Sequence, residues 1–252
     1  MPTHAGHADL SPPPPLKAEG LALFLDLDGV LAPIAATPEA VVADPRRTAV
    51  LIRLGRRLDG RLAIISGRTI AEIDRILDGA VASVAGVHGL ERREAGQVRH
   101  SVADPALGDA VAAFRDFARL RPGLRVEDKG LSTALHYRLA ADHAHAALDL
   151  AQDLAATTGL ILQRGDMVVE LRTPGADKGQ ALTAFMAQPP FQGATPVMLG
   201  DDLTDEDGFR AAAALGGQGV LVGPPRATAA AWRLPDQSDV LDWLDAVAGA
   251  PE

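Results

Sequence analysis

The chain of 252 residues contains no cysteine. This absence excludes disulfide bridges, thiolate metal ligands and cysteine nucleophiles, and it fits a cytoplasmic protein while leaving the redox compartment open. No run of apolar residues approaches the length that a membrane span needs. The N-terminus also lacks a basic region followed by an apolar one, so no secretory signal is predicted.

Positive charge is scarce: 24 lysines and arginines stand against 33 aspartates and glutamates, for a formal net charge of −9. Neither a nucleic acid nor a membrane is therefore expected as a partner. Hydrophobic residues make up 47% of the chain, which is enough for a substantial core in one large or two small domains. Residues 1–18, which contain a run of four prolines, are expected to form a stiff and poorly ordered tail with nothing to bury.

The most informative stretch begins with the apolar run Leu21–Leu25, which predicts a buried strand. Asp26, Asp28 and Gly29 follow it. Successive strand side chains point to opposite faces, so both carboxylates serve one site only if the backbone turns near Leu27, which the glycine permits. Two close carboxylates need a divalent metal, a proton-transfer role, or both. A solvated corner between strand and turn is the structural alternative.

A second apolar run, residues 62–65, leads into Ser66. The capping-box pattern from Thr69 to Glu72 predicts a helix directly afterwards. The serine hydroxyl is then expected beside free N–H groups of a helix N-terminus, which form a natural anion site. An ordinary strand-to-helix turn explains the same residues.

A third apolar run, residues 196–199, ends in clustered carboxylates that include Asp201 and Asp205, and Lys178 opens a predicted helix before it. Each of these groups follows a strand or opens a helix, so all are expected at one edge of a parallel sheet, where open α/β sheets bind ligands. Hard oxygen ligands favour Mg²⁺. A hydroxyl and a lysine suit a phosphoryl group, and a carboxylate can be the nucleophile that forms an acyl phosphate.

A segment with a different order of elements lies between the second and third apolar runs. Over residues 99–174 the order helix–strand–strand occurs twice, which predicts a small α+β insert with helices on one face of a sheet. The flanking segments, 19–98 and 175–252, alternate strands and helices and are predicted to form one α/β domain.

Four stretches resemble the motifs of the haloacid dehalogenase superfamily of phosphatases. They are DLDGV at 26–30, Ser66-Gly67-Arg68, Lys178, and GDDLTD at 200–205. The resemblance implies a Rossmann-like core, with a parallel sheet and helices on both faces, and an inserted α+β cap domain of the larger, C2 type.

The same resemblance implies a role for each acid. Asp26 would be the nucleophile and Asp28 the general acid/base. Mg²⁺ would be held by Asp26, the backbone carbonyl of Asp28 and Asp201, with Asp205 supporting the metal. Ser66 and Lys178 would complete the catalytic set.

The chain is also similar, over most of residues 21–222, to trehalose-6-phosphate phosphatases. This resemblance implies a trehalose 6-phosphate substrate. Val30 departs from the family, which usually has Thr there, and this removes one hydroxyl near the phosphate site. The supporting stretches are ISGR at 65–68, GVHGLE at 86–91, VEDKGLSTALHYR at 126–138, VVELR at 168–172, DKGQAL at 177–182 and GDDLTDEDGF at 200–209. The residues implied to bind substrate are Gly67, Arg68, Glu127, Lys129, His136, Arg138 and Glu170.

Other functions fit parts of this pattern. Sucrose 6-phosphate and mannosyl-3-phosphoglycerate phosphatases share the core and the cap type, and the stretch 126–138 favours trehalose over them. A phosphate-accepting signalling domain also combines acids, a hydroxyl and a lysine on a parallel sheet, but it carries no insert. A non-catalytic phospho-sugar sensor is the remaining alternative. Alternatively, the charged residues of 126–138 lie on exposed strands at the surface and bind no ligand. The sequence leaves the oligomeric state open and is compatible with a monomer.

Overall fold

The structure, a computed structural model, describes residues 10–35 and 37–249. Within these ranges no helix has both the length and the apolar character needed to cross a membrane. The helices are α1 (Pro45–Arg57), α2 (Ile70–Leu77), α3 (Leu107–Arg119), α4 (Ala144–Thr158), α5 (Lys178–Met186), α6 (Glu206–Ala214) and α7 (Gln237–Ala248). The strands are β1 (Leu21–Leu25), β2 (Leu62–Ile65), β3 (Ser83–Gly86), β4 (Glu91–Glu94), β5 (Gln97–His100), β6 (Arg125–Asp128), β7 (Ser132–His136), β8 (Ile161–Gly165), β9 (Val168–Arg172), β10 (Thr195–Gly200), β11 (Gln218–Val222) and β12 (Trp232–Leu234).

The chain divides into two compact units. One comprises the residues up to Val98 and from Asp177 onward, and the other is Arg99–Ala176. The larger sheet has the strand order β12-β11-β10-β1-β2-β3-β4-β5. Its strands from β12 to β3 pair in parallel, and β4 turns back antiparallel to β3. The strand that precedes Asp26 therefore lies at the centre of the sheet.

Alternation along β1 explains how helices cover both faces of this sheet. Leu21, Leu23 and Leu25 face a core that includes residues of α1, α2 and α7. Ala22 and Phe24 face the opposite core, which includes residues of α5 and α6. All five side chains are buried, as expected for a parallel strand covered on both sides. The predicted α/β class, with a parallel sheet and helices on both faces, is confirmed.

The second unit has a four-stranded antiparallel sheet in the order β6-β7-β9-β8. Its core joins Phe114 of α3 and Ala151 of α4 to Leu135, Val169 and Leu171 of the sheet. Strand residues of the other parity, which lie on the opposite face, are largely polar. The order helix–strand–strand, twice over, is the α+β pattern predicted for the insert.

The N-terminal segment differs from the expectation of a tail with nothing to bury. Leu10 and Leu16 are half-buried, each against one of the two cores of the large sheet. The carbonyl of Ser11 accepts a hydrogen bond from β12. Proline lacks an N–H but keeps its carbonyl, so a proline-rich segment can lie on a surface between flanking leucines without strand pairing. The first half of the predicted tail, residues 1–9, lies outside the described residues.

Candidate active site

The carboxyl ends of three neighbouring strands meet at one edge of the large sheet. β1 is followed by Asp26, β2 by Ser66 and β10 by Asp201. The backbone N–H of Asp26 still donates to the carbonyl of Leu199 in β10, over 3.0 Å. The predicted juxtaposition of these strand ends therefore follows from the order β10-β1-β2.

A tight turn follows β1. The N–H groups of Leu31 and Ala32 both donate to the carbonyl of Leu27. Gly29 has φ +76°, and a Cβ there would lie 2.0 Å from Oδ2 of Asp201. The glycine is thus needed both for its backbone conformation and for the close approach of a neighbouring carboxylate. The backbone thus leaves strand geometry directly after β1, as predicted for this stretch.

Lys178 is the positive centre of the site. The side chain of Asp177 caps α5 by accepting from the N–H of Gln180, which places the lysine in the first turn. Its Nζ lies 2.9 Å from Oδ2 of Asp26 and 2.7 Å from Oδ1 of Asp205. All three side chains are buried, with the lysine 2% exposed.

Asp205 uses both of its carboxylate oxygens. While Oδ1 accepts from Lys178, Oδ2 accepts from the backbone N–H groups of Asp201 and Asp202, each over 3.0 Å. Asp205 therefore ties the loop after β10 to the start of α5. The helical turn after β10 is capped by Asp202, whose side chain accepts from the N–H of Leu203.

Three carboxylates converge around the one lysine. Oxygens of Asp26, Asp201 and Asp205 all lie within 4.8 Å of one another. Burial, together with the charge of Asp205, raises the pKa of Asp201 to about 7. Burial and the two neighbouring carboxylates raise the pKa of Asp26, although Lys178 opposes this shift. For Lys178, burial is outweighed by Asp205 and Asp26, so its pKa is raised.

This donor set fits Mg²⁺. Three carboxylates beside one ammonium leave net negative charge in this cluster, and repulsion among the carboxylates adds to burial in raising the pKa values of Asp26 and Asp201. A divalent cation would balance it, and hard carboxylate oxygens are the ligands that Mg²⁺ prefers. Asp28 is not a member of this carboxylate cluster among the described residues.

Ser66 is 1% exposed, and its Oγ accepts from the N–H of Arg68 over 3.3 Å. Two backbone N–H groups that were expected to be free at the N-terminus of α2 have partners within the protein. The N–H of Thr69 donates to the carboxylate of Glu72, and the N–H of Ile70 donates to that of Glu91. Glutamates of the protein thus occupy two of the donors that the sequence pattern left free for a ligand.

Asp28 and Arg68 form a bidentate pair. Arg68 Nε lies 2.7 Å from Oδ2 of Asp28, and Nη2 lies 2.8 Å from Oδ1. Gly67, between the serine and the arginine, lies against the imidazole of His88, since a Cβ there would be 2.6 Å from its Nε2. Gly67 and Arg68 therefore have partners within the protein, which the assignment to substrate binding did not anticipate.

The polar residues predicted in the insert lie largely on one face of its sheet. The register aligns Glu127 with Ala134 and Ala134 with Glu170, opposite the apolar face. Lys129 Nζ is 3.3 Å from Glu170, and both side chains are less than 10% exposed. His136 Nε2 is 2.8 Å from Glu127.

The neighbours of Glu127 stabilise its carboxylate. Burial alone would raise the pKa of Glu127, but the hydrogen bond with His136 and the charge of Lys129 outweigh burial and lower it. Arg138 has a separate partner, because its Nη2 donates to Asp166 at the turn between β8 and β9 over 2.7 Å. Four of the five predicted residues are thus linked in pairs, and Arg138 belongs to a different contact.

Arg226 is a residue that the sequence patterns did not single out. Its Nη2 donates to the carbonyls of Asp202, over 2.8 Å, and Asp201, over 3.3 Å, and its Nη1 pairs with Glu206. These bonds hold the carbonyl groups of the loop after β10, while Asp205 accepts from its N–H groups. No spacing or periodicity marks this arginine, which stands in a loop of proline, glycine and alanine.

Residues 24–238 match the family model described as trehalose-phosphatase. A trehalose-6-phosphate phosphatase of Escherichia coli (strain K12) is 41% identical over 244 residues, covering 96% of this chain and 91% of that protein. The chain belongs to the trehalose-phosphatase family.

Solved structures agree with this family assignment. A trehalose-6-phosphate phosphatase related protein is 29% identical, with a TM-score of 0.77 over 90% of this chain and 96% of the other. A haloacid dehalogenase-like hydrolase from Bacteroides thetaiotaomicron, 17% identical, has a TM-score of 0.62 over 89% and 97% of the two chains. The second likeness concerns the fold alone, and it agrees with the predicted α/β class.

Proposed function

We propose that this chain is a Mg²⁺-dependent phosphatase that hydrolyses trehalose 6-phosphate to trehalose and phosphate in trehalose biosynthesis. The observation that carries the proposal is Asp26, buried beside Lys178 among Asp201 and Asp205 at the sheet edge, in a chain of the trehalose-phosphatase family. The proposed enzyme is a phosphoric monoester hydrolase, and we place it in the cytoplasm.

The reaction is proposed to proceed in two displacements. A carboxylate oxygen of Asp26 attacks phosphorus, the bond from phosphorus to the sugar oxygen breaks, and Asp28 gives its proton to that oxygen. Water then attacks the aspartyl phosphate, Asp28 takes the proton of the water, and phosphate leaves with Asp26 regenerated. Lys178 offsets the negative charge of the phosphoryl group, and Ser66 provides a hydroxyl at the neighbouring strand end.

Asp26, Asp201 and the backbone carbonyl of Asp28 are the proposed ligands of Mg²⁺. When bound, the cation stabilises negative charge on the phosphoryl oxygens. Asp205 has a supporting role, because its two oxygens already engage Lys178 and the backbone of the loop that carries Asp201.

We propose that the insert, residues 99–174, is a cap domain that binds the disaccharide with its polar sheet face. The core would then comprise 19–98 and 175–252. Lys129, Glu170, Glu127 and His136 support this role, because polar side chains that are mostly buried and mutually paired are preorganised to hydrogen-bond sugar hydroxyls. Arg138 remains a candidate at the edge of this face.

The proposal is tested by phosphate release from a panel of sugar phosphates, with and without Mg²⁺, beside Asp26→Asn. Strong preference for trehalose 6-phosphate, lost in the variant and in EDTA, is the expected result. Metal-dependent release from sucrose 6-phosphate or mannosyl-3-phosphoglycerate instead would keep the core chemistry and overturn the assigned substrate. Binding of sugar phosphate without turnover would indicate a sensor.

A further inference from the structure

Arg68 is fixed by groups from three parts of the large unit. Its Nη1 donates to the carbonyl of Pro38 over 2.9 Å and lies 3.5 Å from Glu72 in the first turn of α2. Its Nε and Nη2 form the fork that holds Asp28. The side chain is 10% exposed. A guanidinium anchored in this way cannot follow a mobile ligand, so it acts as a fixed support for whatever it binds.

Asp28 depends on that support for its orientation. It lies in the turn after β1, its side chain is 34% exposed, and it stands outside the cluster of Asp26, Asp201 and Asp205. A carboxylate on such a turn has several accessible rotamers. Two parallel N–H···O bonds from one planar guanidinium fix both the position and the plane of the carboxylate.

We infer that Arg68 is a positioning residue, which orients the carboxylate of Asp28 for proton transfer and does not bind the phosphoryl group or the sugar. The inference rests on the proposed function, because it requires that Asp28 be the general acid/base. It replaces the assignment of Arg68 to substrate binding that the family resemblance suggested.

The first test compares Arg68→Met with a matched control. Arg75→Met removes an arginine of α2, whose Nη1 donates to the carbonyl of Val41 over 3.0 Å. A misplaced catalytic group costs on the order of 10²-fold in rate, so Arg68→Met is expected to lower kcat for trehalose 6-phosphate by about that factor with little change in KM. Arg75→Met should leave both constants unchanged. A large rise in KM with kcat retained would instead identify Arg68 as a substrate ligand.

The second test asks whether Arg68 acts through Asp28. In an Asp28→Asn background, Arg68→Met should cause little further loss, since residues that act as one unit are non-additive. With p-nitrophenyl phosphate, whose leaving group departs without a proton, the single-turnover burst of nitrophenolate should be nearly normal in Arg68→Met. Additive losses, or a burst reduced as strongly as turnover of the sugar phosphate, would overturn the inference.

A readout without turnover separates this inference from the proposed function. The Nε–H signal of Arg68 in a ¹⁵N spectrum should move in Asp28→Asn and stay in place in Arg75→Met. A signal that does not move overturns the pairing. If the wild type releases phosphate but the losses from Arg68→Met and Asp28→Asn are additive, only the positioning role is refuted. If the wild type is inactive on every sugar phosphate, the proposed function is refuted and the positioning role with it. If Arg68→Met does not fold, Arg68→Lys, which keeps the charge and loses the fork, is measured in its place.

Discussion

Replacing Lys178 by methionine removes the only ammonium that contacts Asp26 and Asp205 among the described residues. The methionine is similar in length and apolar, so the change tests charge more than volume. The variant leaves three carboxylates converging in a buried pocket with no cation of the protein beside them. We therefore expect a large loss of stability when Mg²⁺ is absent.

The size of this loss follows from burial and from the number of partners. Removing one member of a buried ion pair costs about 3–5 kcal/mol, because the other member stays buried and uncompensated. Lys178 is 2% exposed and has two such partners at 2.9 and 2.7 Å, so the upper part of that range applies. For a chain of this size, each kcal/mol lowers Tm by about 2–4 °C, which predicts a fall of about 8–20 °C.

Thermal unfolding in EDTA and in excess Mg²⁺ measures the effect. The cation should restore part of the lost stability, since a ligand that binds only the folded protein stabilises it by about 2.7 kcal/mol at a concentration of one hundred times Kd. Lys17→Met is the matched control, because Lys17 is exposed and its replacement should leave Tm unchanged in both conditions.

Two results would refute this reasoning. A Tm within about 2 °C of the wild type in EDTA would mean that the lysine does not stabilise the carboxylates, contrary to the magnitude expected for a buried pair. An equal fall in EDTA and in saturating Mg²⁺ would mean that the cation does not balance the same charges.

Three further predictions concern the metal loop and the insert. In EDTA, burial and Asp205 raise the pKa of Asp201 to about 7 from its ordinary 3.8, so the folded protein holds a proton that the unfolded chain has lost. The free energy of unfolding should therefore rise as pH falls from about 8 to about 5, and calorimetric scans of Asp201→Asn or of the Mg²⁺-loaded protein should show a weaker slope. Gly29→Ala should abolish Mg²⁺ binding in titration calorimetry, because its Cβ would lie 2.0 Å from Asp201 Oδ2. Gly20 has φ +70° and nothing within 4 Å of an added Cβ, so Gly20→Ala should lower the free energy of unfolding by only about 1–2 kcal/mol, the cost of a left-handed alanine. Equal losses of Mg²⁺ binding in the two variants would show that the contact with Asp201 is unimportant. Lys129→Met should raise KM for trehalose 6-phosphate about tenfold or more, as expected for a partly buried charged hydrogen bond, and leave turnover of p-nitrophenyl phosphate intact. The exposed Arg115→Ala is the control in the same unit, and parallel losses on both substrates would contradict a sugar-binding role for Lys129.

The central strands and the acid cluster were predictable from the sequence because local patterns and global packing agree there. An apolar run that ends in an acid and a glycine, as at Leu21–Gly29, needs only a covered parallel sheet to become the observed strand and turn. The hydrophobic alternation of β1 then decides which helices lie on which face. Lys178 was identified with the acids because its place at a helix start leads to the same edge of the sheet.

Partnerships between distant side chains were not predictable in the same way. The Thr69–Glu72 capping box is confirmed, whereas the N–H of Ile70, which the local pattern leaves free, donates to Glu91 from beyond β3. Arg68 stood in a recognised motif, but its bond to Asp28 depends on how two strand ends are spaced in the sheet. Such contacts arise from tertiary geometry, which the residue spacing within a motif does not reveal.

Edge elements and apolar anchors were the other source of error. The three-residue strand β12 has no alternation long enough to be recognised, and it forms because β11 offers an unpaired edge. The leucines beside the proline run gave no periodic signal, although they find apolar surface to cover. The conformation of such a short segment depends on the surface against which it packs, and that surface exists only once the sheet is assembled.

The place of β1 between β2 and β10 has a consequence for the synthesis of the protein. Its partner β10 follows the insert, so the ribosome releases β1 long before the strand that must pair with one of its two edges. A nascent chain at that stage carries an open, strongly apolar strand edge, which is the kind of surface that chaperones bind and that aggregates form from. Long-range parallel pairing is also slow to form. Asp26 pairs with Lys178, which is synthesised much later, and β1 pairs with β10. The central sheet is therefore completed only after the last part of the chain has been synthesised.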